Sequence, residues 1–199
     1  TFKNYDLRNG MPFVDKNIMD VQQGNVEGSV LIRQNSITNA YELSGSFSLI
    51  DGAAYLFDEK MSLSDFQSDF YLQQGSIFIE KASFDVNNSP ATMSGAILNI
   101  RKPEFDIEIV ADSLNSGGIA RIFSPGIKKN IEGISKARLF INGPADDIKM
   151  RARLFSPRLK VDNMQLRSFS TRLQYYKKQL FITRCTAELF HHEMSLTGT

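Results

Sequence analysis

The chain has no Trp, one Cys and two His, and its apolar runs are short, the longest being of the type Ala53-Ala54-Tyr55-Leu56-Phe57. Each scarcity removes a class of function. A single Cys excludes a disulfide scaffold and a Cys-based zinc site. The two His are adjacent, His191 and His192, so little is left for acid–base or metal chemistry. A membrane-spanning helix needs about 20 mostly apolar residues, and no such run occurs. Charge of one sign is also missing: 23 Lys and Arg face 22 Asp and Glu, a net +1 without the basic excess of a nucleic-acid binder. Thr1-Phe2-Lys3-Asn4 has neither the basic start nor the apolar stretch of a signal peptide. The chain starts without Met and stops inside what reads as a strand, so a segment of a longer protein is expected.

What is present alternates. Phe105-Asp106-Ile107-Glu108-Ile109 is apolar then acidic, and Ile148-Lys149-Met150-Arg151-Ala152-Arg153-Leu154 is apolar then basic. Phe66, Ser68, Phe70 and Leu72 share one face, as do Phe169, Thr171, Leu173 and Tyr175. A period of two is the mark of half-buried strands with one wet face. Residues 29–33, 40–50, 75–86, 91–101, 135–142, 178–190 and 193–199 read as further strands. Asp51-Gly52, Gln73-Gln74-Gly75, Asn87-Asn88-Ser89-Pro90, Lys102-Pro103, Asn142-Gly143-Pro144 and Ser156-Pro157 read as turns between strands. Strands and turns in quick succession predict an antiparallel meander. One segment differs: between 111 and 130, Leu114, Ile119, Ile122 and Phe123 fall at near-helical spacing. Asp112 or Ser113 would cap that helix and Pro125-Gly126 would end it.

The chain repeats itself. Met61-x-Leu63-x-x-Phe66 recurs as Met164-x-Leu166-x-x-Phe169, and Phe78-Ile79 as Phe181-Ile182, at a constant offset of 103 residues. Carried on without a gap, residues 61–95 and 164–198 share six identities. The expected fold is all-β: an extended, curved antiparallel sheet forming one elongated domain over 1–199. It comprises repeat units at about 24–101 and 131–199, with a helical connector at about 111–130.

Gly133-Ile134-Ser135-Lys136-Ala137-Arg138-Leu139-Phe140-Ile141-Asn142-Gly143-Pro144 resembles the G-x-x-x-a-x-L-x-I-x-G phrase of AsmA/TamB-like proteins. The alternating segments after it fit the same pattern, and the resemblance extends over roughly 24–199. The two copies begin differently, with Asn35-Ser36 where the second has Gly143-Pro144. The resemblance implies a periplasmic segment of a protein tethered to the inner membrane. It also implies a groove-shaped sheet that shields phospholipid acyl chains between the two membranes or assists outer-membrane assembly. The implied partners are phospholipid or another acyl-chain lipid and an outer-membrane assembly protein, with no nucleic acid and no cofactor.

Phe66, Phe70, Leu72, Ile77, Ile79, Phe84, Phe105, Ile107, Ile109, Leu173, Tyr175, Leu180 and Ile182 are the candidate groove lining. The same alternation also fits the core of two sheets closed on each other, because a period of two marks an apolar face without saying what covers it. The alternative function is therefore a structural or adhesive β-sandwich or solenoid that takes a protein partner at a sheet edge. Catalysis has no inventory: both His lie near the end of the chain, no Gly-x-Ser-x-Gly is present, and Asp106 and Glu108 fall on the wet face. Ser116-Gly117-Gly118 lacks the Lys of a nucleotide loop. Cys185 aligns with Ala82 across the repeat and reads as a buried structural thiol. His191 and His192 would point to opposite faces of a strand, which makes a shared metal ion unworkable. Lys128, Lys129, Arg151, Arg153, Arg158 and Lys160 form a basic stretch, read either as a solvated outer face or as a contact for anionic head groups.

Overall fold

The computed structural model describes residues 1–10, 19–34, 41–56, 61–123, 128–177 and 179–198, without the side chains at 19, 56, 119, 121–123 and 180. Twelve strands form one antiparallel sheet in which every strand pairs with its neighbours in sequence. They are β1 (Phe2–Asp6), β2 (Met19–Gln34), β3 (Tyr41–Leu56), β4 (Met61–Gln73), β5 (Ser76–Val86) and β6 (Ser89–Leu98). These are followed by β7 (Glu104–Asn115), β8 (Ile131–Pro144), β9 (Lys149–Val161), β10 (Met164–Tyr176), β11 (Gln179–Leu189) and β12 (His192–Leu196). The sheet is not closed: β1 and β12 stand at opposite ends and pair with β2 and β11 alone among the described residues. Local pairing suits the sequence, because most connections are short, apart from 7–18 and 116–130, and the strands carry their own apolar alternation.

The turns follow backbone chemistry. Gln74 and Gly75 have φ of 49° and 72°, and Asn87 and Asn88 have 47° and 64°, the two positive values of a type I′ hairpin turn. Asn87 also fastens its turn to β4, accepting at Oδ1 from the Ser62 amide at 2.9 Å. The 103-residue offset is written into the backbone. β4 and β10 begin and end at equivalent residues, and so do β5 and β11. The left-handed residues recur as well: Asp65 with Ser168, Gln74 with Lys177, Asn87 with Phe190 and Asn88 with His191. One repeat is thus six strands wide.

Two expected turns are bulges inside long strands, and a third, Asn142-Gly143-Pro144, is the paired end of β8. β3 runs through Asp51-Gly52, where Asp51 takes φ 54° and the register to β4 shifts. β9 runs through Ser156-Pro157, and its register to β8 shifts there. Ser156 donates to the Ile134 carbonyl at 2.7 Å, across the gap that the missing proline amide opens. β8 continues to Pro144.

The connector is shorter than the sequence suggests. Ala111 and Leu114 belong to β7, and helix α2 spans Ser116–Phe123. Asn115, not Asp112 or Ser113, caps it, accepting at Oδ1 from the Gly118 amide at 3.1 Å. Pro125-Gly126, expected to end the helix, lies outside the described residues. A second helix, α1 (Leu7–Gly10), had no sequence signal.

Candidate functional site

Residues paired across an antiparallel sheet share a face, so the registers give the composition of each face directly. One row crosses eleven strands: Phe2, Gly28, Phe47, Phe70 and Ile79, then Gly95, Ile107, Ile141, Met150, Tyr175 and Leu180. At about 4.8 Å per strand it is roughly 50 Å long. The row beside it contains Val26, Leu49, Ser68, Ala82, Met93, Ile109, Leu139, Ala152, Leu173 and Ile182. A third follows Phe84, Ala91, Ala111, Ala137, Leu154, Thr171 and Cys185. We call this the inner face. No Asp, Glu, Lys or Arg is paired into these three rows.

A single flat layer would expose both of its faces alike. Here the fourteen buried residues other than glycine all lie on the inner face, among them Ile79 at 4% exposure, Ala82 at 0% and Ile107 at 9%. Among the described residues no second sheet covers them, since the strands pack only on their neighbours in the one sheet. Burial on one side of one layer means that the sheet curls around that side. Gly95, on the central row, shows how tightly: a Cβ there would lie 2.1 Å from the Asp106 carbonyl oxygen and 2.8 Å from Ile107 Cα. Its φ of 136° is one that side chains rarely adopt. Phe47 stacks on Phe70 with ring centroids 5.0 Å apart, and Phe66 on Phe84 at 5.3 Å. These ring pairs fix the inner surface of the first unit.

The register places all thirteen candidate lining residues on this face, but their surroundings differ. Ile79, Phe84 and Ile107 are buried. Phe66, Phe70, Leu72, Ile77, Phe105, Ile109, Leu173 and Tyr175 are half-buried, and Ile182 is 46% exposed. Leu180 stands opposite Tyr175 in register, and its side chain lies outside the described set. Phe47, Ile141 and Met150 belong to the central row without having been singled out. Their alternation was legible, and only the register ties them to the others.

The remaining candidates resolve into structural roles. Cys185 pairs with Thr171 as Ala82 pairs with Ser68, and it is half-buried rather than buried. Desolvation raises its thiol pKa, and a hydrogen bond with Thr171 opposes this weakly. His191 occupies the last hairpin turn and His192 opens β12, both exposed. Among the described residues no three His, Cys, Asp or Glu side chains gather as a metal site needs. Gly117 serves close packing, since a Cβ there would meet the Ile131 carbonyl oxygen at 2.2 Å. The basic stretch divides. Lys129 pairs with Asp162 at 2.8 Å and Lys160 with Glu132 at 3.3 Å. The Lys129 contact holds the Asp162 carboxyl below the usual range, with help from the Asn130 amide.

No protein-family model, curated protein or solved structure matches the chain. Among the described residues no helix is long and apolar enough to cross a membrane.

Proposed function

We propose that the inner face is a path for the acyl chains of phospholipid, in a periplasmic segment of an AsmA/TamB-like protein tethered to the inner membrane. The reading rests on one observation: an apolar surface that no second sheet covers among the described residues, with no charge paired into its rows, runs across eleven strands. Each CH₂ moved from water onto such a surface gains about 0.8 kcal/mol. A surface without polar anchors along its length holds the chain without fixing its position, so a lipid can slide along it.

The test is photo-crosslinking to a phospholipid with a photoreactive group on its acyl chain. Ile107→Asp and Ile182→Asp are compared with Phe78→Asp, which lies on the other face and is 38% exposed. Loss of crosslinking in the two inner-face variants, with retention in Phe78→Asp, is the expected result. Unchanged crosslinking in folded inner-face variants would refute the path. The edge strands β1 and β12 are the surface that a strand-adding protein partner would use. That reading expects binding to survive inner-face charge and to be lost in Ser195→Pro.

A further inference from the structure

The face opposite the apolar rows carries charge unevenly. Residues 1–100 contain six Lys and Arg against twelve Asp and Glu, and residues 101–199 contain seventeen against ten. In the basic half the register gathers what the sequence scatters. Arg138 of β8 lies directly opposite Arg153 of β9, Arg153 opposite Arg172 of β10, and Arg172 opposite Arg184 of β11. Four arginines from four strands thus stand side by side in one row, roughly 5 Å apart. Like charges directly opposite destabilise a sheet. Arg138 is paired with Glu108, whereas Arg153, Arg172 and Arg184 have no acidic partner among the described residues. Shallow hollows flank the row. One of about 350 Å³ is lined by Lys136, Arg138, Arg153 and Arg172, and one of about 300 Å³ by Arg151, Arg153 and Arg172.

The fold does not require this row. At the 103-residue offset Arg172 corresponds to Asp69 and Arg184 to Lys81, and by register the place of Arg153 is taken by Ser48, which donates a hydrogen bond to Asp69. The first unit builds the same strands without the ladder. Exposed cations side by side repel one another, and an anion from outside the chain that bridged them would relieve that repulsion. Guanidinium is the group that matches phosphate with two parallel hydrogen bonds. The row lies on an open sheet face with only shallow hollows, which suits an array of phosphates presented on a surface. It is not built as a stacking platform for bases. The Phe140 ring already faces Arg138 and Arg151 at 5.7 and 5.9 Å, and the Tyr176 ring faces Lys149 and Lys177 at 5.1 and 5.2 Å.

From this geometry we infer that the outer face of β8–β11 docks on the phosphates of an anionic lipid bilayer through Arg138, Arg153, Arg172 and Arg184. The inference does not depend on the acyl-chain path, which uses the opposite face. The test is co-sedimentation of the chain with vesicles of phosphatidylcholine alone or mixed with phosphatidylglycerol. The variants are Arg153→Gln/Arg172→Gln/Arg184→Gln and a control with the same charge loss, Lys3→Gln/Arg101→Gln/Lys102→Gln, at exposed positions away from the row. Wild type and control should pellet with the anionic vesicles only. The arginine variant should bind about 100-fold more weakly, at roughly fivefold per cation. Wild-type binding should fall as salt rises from about 50 to about 500 mM. The circular dichroism melt of the arginine variant should match or exceed that of wild type, because the repulsion is relieved. Salt-insensitive pelleting, equal pelleting by neutral vesicles, or equal weakening in control and arginine variant would overturn the docking surface. So would binding of inorganic phosphate or a short oligothymidylate with the same arginine dependence while anionic vesicles fail to bind.

Discussion

Truncating Ile107 to Ala separates an open apolar face from a closed core by the size of its effect. The change removes three carbons, worth about 2.4 kcal/mol if they are fully withdrawn from water. Ile107 is 9% exposed, so nearly all of that transfer term applies, and the expected loss is about 2 kcal/mol. Ile182, at 46% exposure, should lose only about 1.3 kcal/mol. In a closed core a second term adds to the first, because the void left behind stays empty and costs about 24 cal/mol per Å³, which brings such truncations to about 4 kcal/mol. Over an uncovered face water or the neighbouring side chains reach the vacated space, and no dry cavity forms. The assay is urea unfolding of lipid-free protein, comparing midpoints at constant m. A loss near 2 kcal/mol for Ile107→Ala and a smaller one for Ile182→Ala fit the single layer. A loss of about 4 kcal/mol or more at Ile107 with m unchanged would mean that something dry covers the central row. The account of the inner face as accessible to an acyl chain would then fail.

Gly95→Ala should destabilise by on the order of 3 kcal/mol or more, because the new methyl meets backbone rather than a movable side chain and the residue keeps a left-handed φ. A thermal melt within about 2 °C of wild type would show that β6 and β7 are not pressed together there. The Cys185 thiol should titrate higher in the folded chain than in urea, as read by thiolate absorbance, because burial disfavours the charged form. With its folded pKa raised, the stability linked to this group is present below the unfolded thiol's pKa. It declines as pH rises past that value and is lost above the folded one. A folded pKa equal to the unfolded one would place the sulfur in water.

Much of the architecture was legible because the period of two survives almost everywhere. That is why thirteen residues chosen by alternation fall on one face of one sheet. The segmentation was less legible. Asp51-Gly52 and Ser156-Pro157 have turn chemistry, yet each sits inside a strand as a bulge. A left-handed residue serves equally to reverse a chain and to skip one partner, and the difference lies in whether the next strand continues alongside. The helix start was misplaced for a related reason. Ala111 and Leu114 look helical because a β7 bulge inserts one residue between two inner-face positions, turning a spacing of two into a spacing of three. Of the arginine row only Arg153 was legible, as part of a basic stretch read either as a solvated face or as a head-group contact, and the row itself was not. Its members are separated by 15, 19 and 12 residues in the chain, and only the register aligns them.

The two units therefore keep the inner face and change part of the outer one, where Phe78 and Lys81 are matched by Phe181 and Arg184 but Asp69 is not matched by Arg172, and the difference sorts the residues by the demand placed on them. Where the fold makes the demand, chemistry is kept across the offset: Phe66 with Phe169, Ile79 with Ile182, Ser68·Ala82 with Thr171·Cys185, and a left-handed residue at Asp65 and at Ser168. These positions either line the inner face or set the bulges that curl the sheet around it. On the outer face Asp69 gives way to Arg172 and the sign of the charge reverses without a change in strand boundaries. Outer charges on a single layer are free of packing constraints, so the backbone tolerates either sign, and whatever the two halves of the sheet contact can set which one is kept. On the proposed reading, a sheet with an apolar inner surface and a polarised outer one would pass the same apolar ligand along its length while presenting different surroundings at its two ends.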